Sequence, residues 1–191
     1  MSNFELEKQN ALTKQDKAQE QKWDEKIKSL CNNINHHSKY FSTSSCSGRI
    51  TLLRTSTKKI KNTILFKTHS FANPQQIWKT IIENKHQEIL YLRQEPAALH
   101  VACKTLEDAI KLIEIAKESG FKRSGIASFK EKFVCEIIST EWIIIPIIKN
   151  DEILVNERFI LVAIIEANKK LEKTWKKIES FNQKFIKTFF Y

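Results

Sequence analysis

Glycine is scarce in this sequence: among 191 residues there are three, Gly48, Gly120 and Gly125. Motifs that hold nucleotide phosphates place several glycines within a few residues, because their backbone amides must approach the anion closely. Three scattered glycines supply neither a dinucleotide-binding fingerprint nor a P-loop. Any nucleotide-like cofactor must therefore be held by another geometry, and a Rossmann-type fold is not expected.

Long hydrophobic runs are also missing. The longest apolar stretches, residues 142–148 and 159–165, are seven residues each, whereas a membrane-spanning helix needs about 18. The opening MSNFELEKQN lacks the basic-then-apolar order of a secretory signal. The sequence therefore predicts a protein without a membrane partner and with a cytoplasmic location.

The four cysteines lack the spacing of a metal site. Cys31, Cys46, Cys103 and Cys135 form no C-x-x-C pair, so we expect no bound metal and predict free thiols. One alternative from another functional class stays open, a cysteine-dependent hydrolase with Cys46 as nucleophile and His69 or His100 as its base.

Acidic residues are absent from a long stretch of the chain, between Lys26 and Ile82, while the whole chain has a net charge of +10. Such a segment attracts polyanions and gains affinity from counterion release, which favours a nucleic-acid partner. A solvated basic face is the alternative. The cations of the stretch are Lys26, Lys28, Lys39, Arg49, Arg54, Lys58, Lys59, Lys61, Lys67 and Lys79.

Hydrophobic periodicity and turn signals predict helices and strands in a non-alternating order, which is typical of an α+β fold. We expect a single domain over residues 1–191, with a mixed sheet flanked by helices, a long C-terminal helix from about Asn156, and a variable segment over about residues 1–22. Caps at Asn73 and Thr105 should begin two helices. The cap at Thr105 precedes a helix at 106–119, with Leu106, Ala109, Ile110 and Ile113 facing the core. A further helix is expected at 24–35 and a Ser/Thr-rich turn at 42–47. The expected strands are 50–54, 63–68, 88–94, 98–103, 125–128, 133–139 and 142–148, the last with a bulge or an edge position at Pro146.

Polar residues concentrate in four places that a strand or turn would not need for folding alone. The largest is residues 42–49, STSSCSGR, where hydroxyls can bind a phosphate, a carboxylate or an amino group and Arg49 offers a two-pronged grip on an anion. A self-bonded turn is the alternative there. The second place has Arg93 and Glu95 on one face of a strand, and His100 on the next strand, on the face opposite its apolar side chains. The third is the basic turn at 120–125. The fourth is His69, at the end of a strand.

These blocks together resemble a known family. The runs YFSTSSCSGRI from Tyr40, LRQEPAALHVAC from Leu92, GFKRSGI from Gly120 and STEWIIIPI from Ser139 are similar, in order and spacing, to the signature blocks of the tRNA wybutosine-synthesizing methyltransferases that act third in that pathway. The likeness extends over nearly the whole chain, from the helix near Asp24 to the closing helix.

The resemblance implies an S-adenosylmethionine-dependent enzyme that methylates nitrogen-4 of a demethylwyosine-type base beside the anticodon of tRNA-Phe. It also implies a fold unlike the Rossmann methyltransferases. On this basis the catalytic candidates are Asp24, Glu95 and His100; the cofactor-binding candidates are Ser44, Ser45, Cys46, Gly48 and Arg49; and the substrate-binding candidates are His69, Arg93, Lys122, Arg123 and Ser124.

One loop departs from the family pattern. Members usually carry a serine and a lysine-glycine step shortly before the helix aspartate, whereas residues 17–23 here read KAQEQKW before Asp24. The departure motivates an alternative, a catalytically weakened paralogue that acts as a tRNA-binding module. The sequence leaves the oligomeric state open.

Overall fold

The protein combines helices with β-strands. The structure, a computed structural model, describes residues 3–17, 24–55, 63–129 and 132–191. Within these ranges the helices are α1 (Asn3–Lys17), α2 (Glu25–His36), α3 (Pro74–Glu83), α4 (Leu106–Glu118) and α5 (Glu157–Phe189). The strands are β1 (Tyr40–Cys46), β2 (Arg49–Thr55), β3 (Ile64–Thr68), β4 (Ile89–Glu95), β5 (Ala98–Cys103), β6 (Gly125–Ser128), β7 (Phe133–Ile138), β8 (Ile143–Lys149) and β9 (Glu152–Ile153).

The chain divides into two compact units. The first unit comprises Met1–Ser47, Ala97–Thr140 and Thr174–Tyr191, and the second comprises Gly48–Pro96 and Glu141–Lys173. In the first unit, strands pair in the order β1-β5-β7-β6. Its buried core draws on α2, α4, this sheet and the last part of α5, which contributes Phe181 and Phe185.

The second unit is built on a five-stranded sheet with the order β3-β2-β4-β8-β9. Strand alternation buries Ile50 and Leu52 of β2 with Leu90 and Leu92 of β4 on one face. The opposite face carries polar side chains that matter for function. Opposite Tyr91, Pro146 accompanies a register shift between β4 and β8, so the bulge expected at this proline is present.

The α+β class and the long C-terminal helix are confirmed. The strands differ in two respects from the expected mixed sheet: they form two sheets, and every described pairing is antiparallel. Parallel neighbours need crossover connections of a dozen residues or more. Here β2 turns back into β3, and the chain after β4 enters the other sheet as β5 at Ala98. None of the described helices is both long and apolar enough to cross a membrane.

The turn expected at residues 42–47 is wrong, because most of this segment is strand. Ser44, Ser45 and Cys46 pair with His100, Leu99 and Ala98 of β5, after a register shift between Ser42 and Ser44. Hydroxyl-rich segments favour turns when their side chains bind the local backbone. In β1 the backbone instead uses its hydrogen bonds on the neighbouring strand, which local sequence does not reveal.

The core face expected for α4 is also partly wrong. Leu106 and Ile110 are 41% and 46% exposed, whereas Ala109, Leu112 and Ala116 are buried. Two apolar stripes can be drawn through this helix at helical spacing. Packing buries the one that carries Ala109, Leu112, Ile115 and Ala116, and Ile113 packs partly against the same core.

The cap of α4 gives a testable stability effect. Thr105 Oγ1 accepts a hydrogen bond from Asp108 N at 3.1 Å and donates to Asp108 Oδ2 at 3.0 Å. Thr105→Ala should therefore lower the free energy of unfolding by about 1 kcal/mol. Urea denaturation measures the change, and Thr105→Ser should retain most of the stability. Equal stability of Thr105→Ala and wild type would show that the cap contributes nothing.

Candidate active site

Asp24 connects the start of α2 to the end of β1. It occupies the N-cap position, yet its side chain makes no hydrogen bond to the first turn of α2. Oδ2 instead accepts the backbone N–H of Ser47 at 2.8 Å, and a carboxylate oxygen lies within 4.8 Å of Cys46 Sγ. The Asp24 carboxylate is therefore aimed at the STSSCSGR block.

Ser47 carries a buried hydroxyl. The residue is 0% exposed, and its Oγ has no hydrogen-bond partner among the described residues. A buried polar atom of this kind costs about 1 to 3 kcal/mol, and in native proteins it is often explained by a group that binds there. Ser47 was not among the individual candidates, although it lies within the predicted block.

A hydroxyl, an imidazole and a carboxylate form a row across three strands of the first unit. Ser44 of β1, His100 of β5 and Glu136 of β7 are register partners. Ser44 Oγ lies 2.9 Å from His100 Nδ1, and His100 Nε2 lies 3.2 Å from Glu136 Oε1. Because a carboxylate only accepts hydrogen bonds, Nε2–H donates to Glu136 and a neutral ring accepts the Ser44 hydroxyl at Nδ1.

Two further members of the block face different surroundings. Ser45 is half-buried and hydrogen-bonds the buried Cys31 thiol; burial raises the pKa of Cys31 to about 11, while hydrogen bonds from Ser45 and Ser42 act in the opposite direction. Cys31 therefore stays protonated at neutral pH and is unsuited to nucleophilic attack. Cys46 is half-buried. Of the two bases considered for it, His100 is hydrogen-bonded to Ser44 through Nδ1, and His69 is hydrogen-bonded to the Gly48 carbonyl through Nδ1.

In the second unit, Gly48 and Arg49 continue the block. Gly48 has φ of 91°, a left-handed conformation that side chains disfavour. His69 Nδ1 lies 3.1 Å from the Gly48 carbonyl, so Nδ1–H donates to this oxygen. Arg49 Nε donates to Glu95 Oε2, and Arg93 Nη1 lies 3.8 Å from Glu95 Oε1. Both Glu95 oxygens thus face guanidinium groups, and the carboxylate is held in an ion network with two arginines.

The basic turn before β6 contains both exposed and buried side chains. Lys122 and Arg123 are exposed and can reach a phosphate. Ser124 is 6% exposed, and its hydroxyl donates to the Phe121 carbonyl at 2.8 Å. The Ser124 side chain therefore holds the turn in place.

The structure thus brings Ser44 to His100, Asp24 to Ser47, and Arg49 to Glu95. Sequence reasoning missed Glu136, although a lone acid in the apolar strand FVCEII is a signal that could have identified it. Three predicted cations, Lys58, Lys59 and Lys61, lie outside the described residues, as does most of the altered loop, residues 18–23.

Comparisons with known proteins agree with this picture. The family model described as "Methyltransferase TYW3" matches residues 5–187. A Thermococcus sibiricus protein named tRNA(Phe) 7-((3-amino-3-carboxypropyl)-4-demethylwyosine(37)-N(4))-methyltransferase is 37% identical over 190 residues, covering 97% of this chain and 95% of the relative. The tRNA wybutosine-synthesizing protein 3 homolog of Xenopus laevis is 34% identical, over 92% of this chain and 71% of its own length.

Solved structures show the same likeness. The PH1069 protein from Pyrococcus horikoshii superimposes with a TM-score of 0.88 at 33% identity, covering 96% of both chains. A hypothetical protein from Aeropyrum pernix gives a TM-score of 0.74 at 26% identity, over 84% of this chain and 96% of its own. The resemblance inferred from the signature blocks is confirmed, and the chain belongs to the TYW3 methyltransferase family.

Proposed function

We propose that this protein transfers a methyl group from S-adenosylmethionine to nitrogen-4 of 7-(3-amino-3-carboxypropyl)-4-demethylwyosine, beside the anticodon of tRNA-Phe in the cytoplasm. The observation that carries the proposal is the 37% identity, over 97% of the chain, to a relative named for this reaction. The alternative of a weakened tRNA-binding paralogue finds no support in the relatives, because their names describe methyltransferases or wybutosine-synthesizing proteins.

The residues of the STSSCSGR block suit a methyl donor of this kind, which when bound supplies a methyl group on a positively charged sulfur. The buried, unpartnered Ser47 Oγ can bond a ribose hydroxyl or the amino acid end. Asp24 supplies a negative charge beside it. Ser44, Ser45, Cys46, Gly48 and Arg49 remain the proposed cofactor-binding residues.

The Ser44–His100–Glu136 row suits removal of a proton. If the attacking nitrogen carries hydrogen, methylation must release it, and a neutral imidazole is a suitable acceptor. The nitrogen's proton passes to Ser44 Oγ while the Ser44 proton moves to His100 Nδ1. Glu136 accepts from Nε2–H and stabilises the resulting imidazolium. Of the three catalytic candidates, His100 has the most suitable geometry.

Positive charge supports the tRNA partner. Lys122 and Arg123 are exposed and adjacent, which suits phosphates of the anticodon loop. The target base lies in a loop, so its presentation costs less than the few kcal/mol needed to flip a paired base. His69 and Arg93 remain proposed substrate-binding residues.

Transfer of a labelled methyl group tests the proposal directly. Purified protein, labelled S-adenosylmethionine and tRNA from cells that lack this gene should give one added methyl group on the demethylwyosine-type base of tRNA-Phe, identified by mass spectrometry of nucleosides. The same tRNA from cells that retain the gene is the control and should accept little label. Binding of tRNA without any transfer would contradict the proposal and favour the binding-module alternative.

A further inference from the structure

One face of the five-stranded sheet presents an ion network that the proton-transfer row does not involve. Antiparallel pairing of β2 with β4 places Arg49 opposite Glu95 and Thr51 opposite Arg93. Because side chains alternate along each strand, all four project from the same face. The network therefore follows from strand register.

The network combines both signs of charge in a small space. Arg49 Nε donates to Glu95 Oε2, and Arg93 Nη1 lies 3.8 Å from Glu95 Oε1. The Glu95 side chain is 25% exposed, and the two arginines are about one third exposed. A ligand can reach these charged groups while they are largely shielded from water, which strengthens their interactions.

Two buried polar atoms lie beside this ion network. Thr51 is 1% exposed, and neither Thr51 Oγ1 nor Arg93 Nε has a hydrogen-bond partner in the part of the chain that the structure describes. Buried donors without partners are rare in native proteins and call for an explanation. Since the two residues are register partners on adjacent strands, their unpaired atoms lie on the same face of the sheet.

The chemistry of these groups specifies a ligand class. Arg93 Nε–H and the Thr51 hydroxyl are donors suited to a carboxylate, and Glu95 is an acceptor suited to an ammonium group. An α-amino acid carries a carboxylate and an ammonium on the same carbon. We propose that Arg49, Thr51, Arg93 and Glu95 bind the α-amino acid group of a reactant.

This inference rests on the proposed function, which involves two reactants with such a group. One is the methionine end of S-adenosylmethionine, and the other is the 3-amino-3-carboxypropyl arm of the tRNA base. The binding chemistry is the same for both. Variants of Arg93 and Thr51 can distinguish the two sources.

The cofactor arm of the experiment compares two ligands by calorimetry. S-adenosylhomocysteine carries the amino acid group, whereas 5′-methylthioadenosine lacks it. If the network holds the cofactor, Arg93→Gln and Thr51→Val should each weaken S-adenosylhomocysteine binding about tenfold and leave 5′-methylthioadenosine unchanged. Arg158→Gln, the same change at an exposed arginine of α5, should alter neither affinity.

The tRNA arm compares two substrates. tRNA-Phe bearing 4-demethylwyosine lacks the arm that 7-(3-amino-3-carboxypropyl)-4-demethylwyosine carries. If the network holds the base, both variants should lower kcat/KM about tenfold more for the substrate with the arm than for the substrate without it. Arg158→Gln should have the same kcat/KM as wild type for each of the two substrates.

The Thr51→Val variant tests whether the Thr51 hydroxyl binds a ligand. Replacing a buried, unpaired hydroxyl by a methyl group of the same shape should keep or raise the melting temperature of the free protein. If neither Thr51→Val nor Arg93→Gln changes the binding of the two cofactor analogues or the reaction of the two tRNA substrates, the inference is wrong. The proposed function is unaffected by that result as long as the wild-type protein methylates tRNA. Wild type that neither binds S-adenosylhomocysteine nor methylates tRNA would instead reject the proposed function and this inference with it.

Discussion

Replacement of His100 by alanine should lower the turnover number by about 10²- to 10⁴-fold, the range that a general base contributes. The imidazole lies between Ser44 Oγ and Glu136 Oε1, at 2.9 and 3.2 Å, and alanine removes the only ring in this row. The His100 side chain is 33% exposed, so its loss leaves no sealed core cavity. Single-turnover methyl transfer at saturating cofactor and tRNA measures the change.

A matched histidine and the carboxylate of the row serve as controls. His86→Ala changes an exposed histidine and should leave turnover within a factor of two. Glu136→Ala should lower turnover less than His100→Ala does, with KM unchanged, because Glu136 positions the ring rather than touching the substrate. Glu136→Gln still accepts from Nε2–H and should recover part of the rate. Wild-type turnover in His100→Ala would show that another group, or water, takes the proton.

A spectroscopic measurement distinguishes a positioned ring from a merely structural one. In neutral His100 with Nε2–H donating to Glu136, ¹⁵N spectra should report hydrogen on Nε2 and none on Nδ1. Glu136→Ala removes the acceptor and should allow the Nδ1–H form to appear. An unchanged ratio of the two forms would mean that Glu136 does not position the ring.

Local signals in the sequence were sufficient for the starts of α3 and α4. Asn73 Oδ1 accepts from Gln76 N, and Thr105 Oγ1 accepts from Asp108 N, as the cap residues predicted. The helix α1 was missed because Asn3–Lys17 is polar on most sides and shows no apolar stripe. The division of strands between two sheets was missed for another reason. Pairing of β1 with β5 joins Ser44 to His100, and no local pattern encodes a partner so far along the chain.

The sequence could predict which residues of the candidate site lie together only where those residues belong to the same strand. Arg93 and Glu95 were expected on one face because they are two residues apart, and the register with β2 confirms this. Glu136 belongs to the site only through its neighbour His100 on another strand. Ser47 was overlooked because a serine hydroxyl becomes informative only when it is buried without a partner. Cross-strand neighbours and burial are tertiary properties, which explains what the sequence left undetermined.

Asp24→Asn should weaken S-adenosylhomocysteine binding about 100-fold, as expected when charge-assisted hydrogen bonds worth about 1.5 to 3 kcal/mol are lost. The asparagine oxygen can still accept from Ser47 N, which Asp24 Oδ2 binds at 2.8 Å, so the connection between β1 and α2 is kept. The change removes negative charge with little change of shape. Isothermal titration calorimetry on the folded variant measures the affinity.

The neighbouring carboxylate provides the comparison that separates a local contact from general electrostatics. Glu25, whose side chain is 79% exposed beside Lys28, bears the same charge one residue along the chain. Surface pairs of this kind contribute little, so Glu25→Gln should leave binding within a factor of two. Equal losses in both variants would mean that Asp24 acts only through the long-range field. If Asp24→Asn binds S-adenosylhomocysteine as tightly as wild type, the negative charge of Asp24 does not contribute to binding. The role of the residue is then structural, because the asparagine oxygen still accepts from Ser47 N.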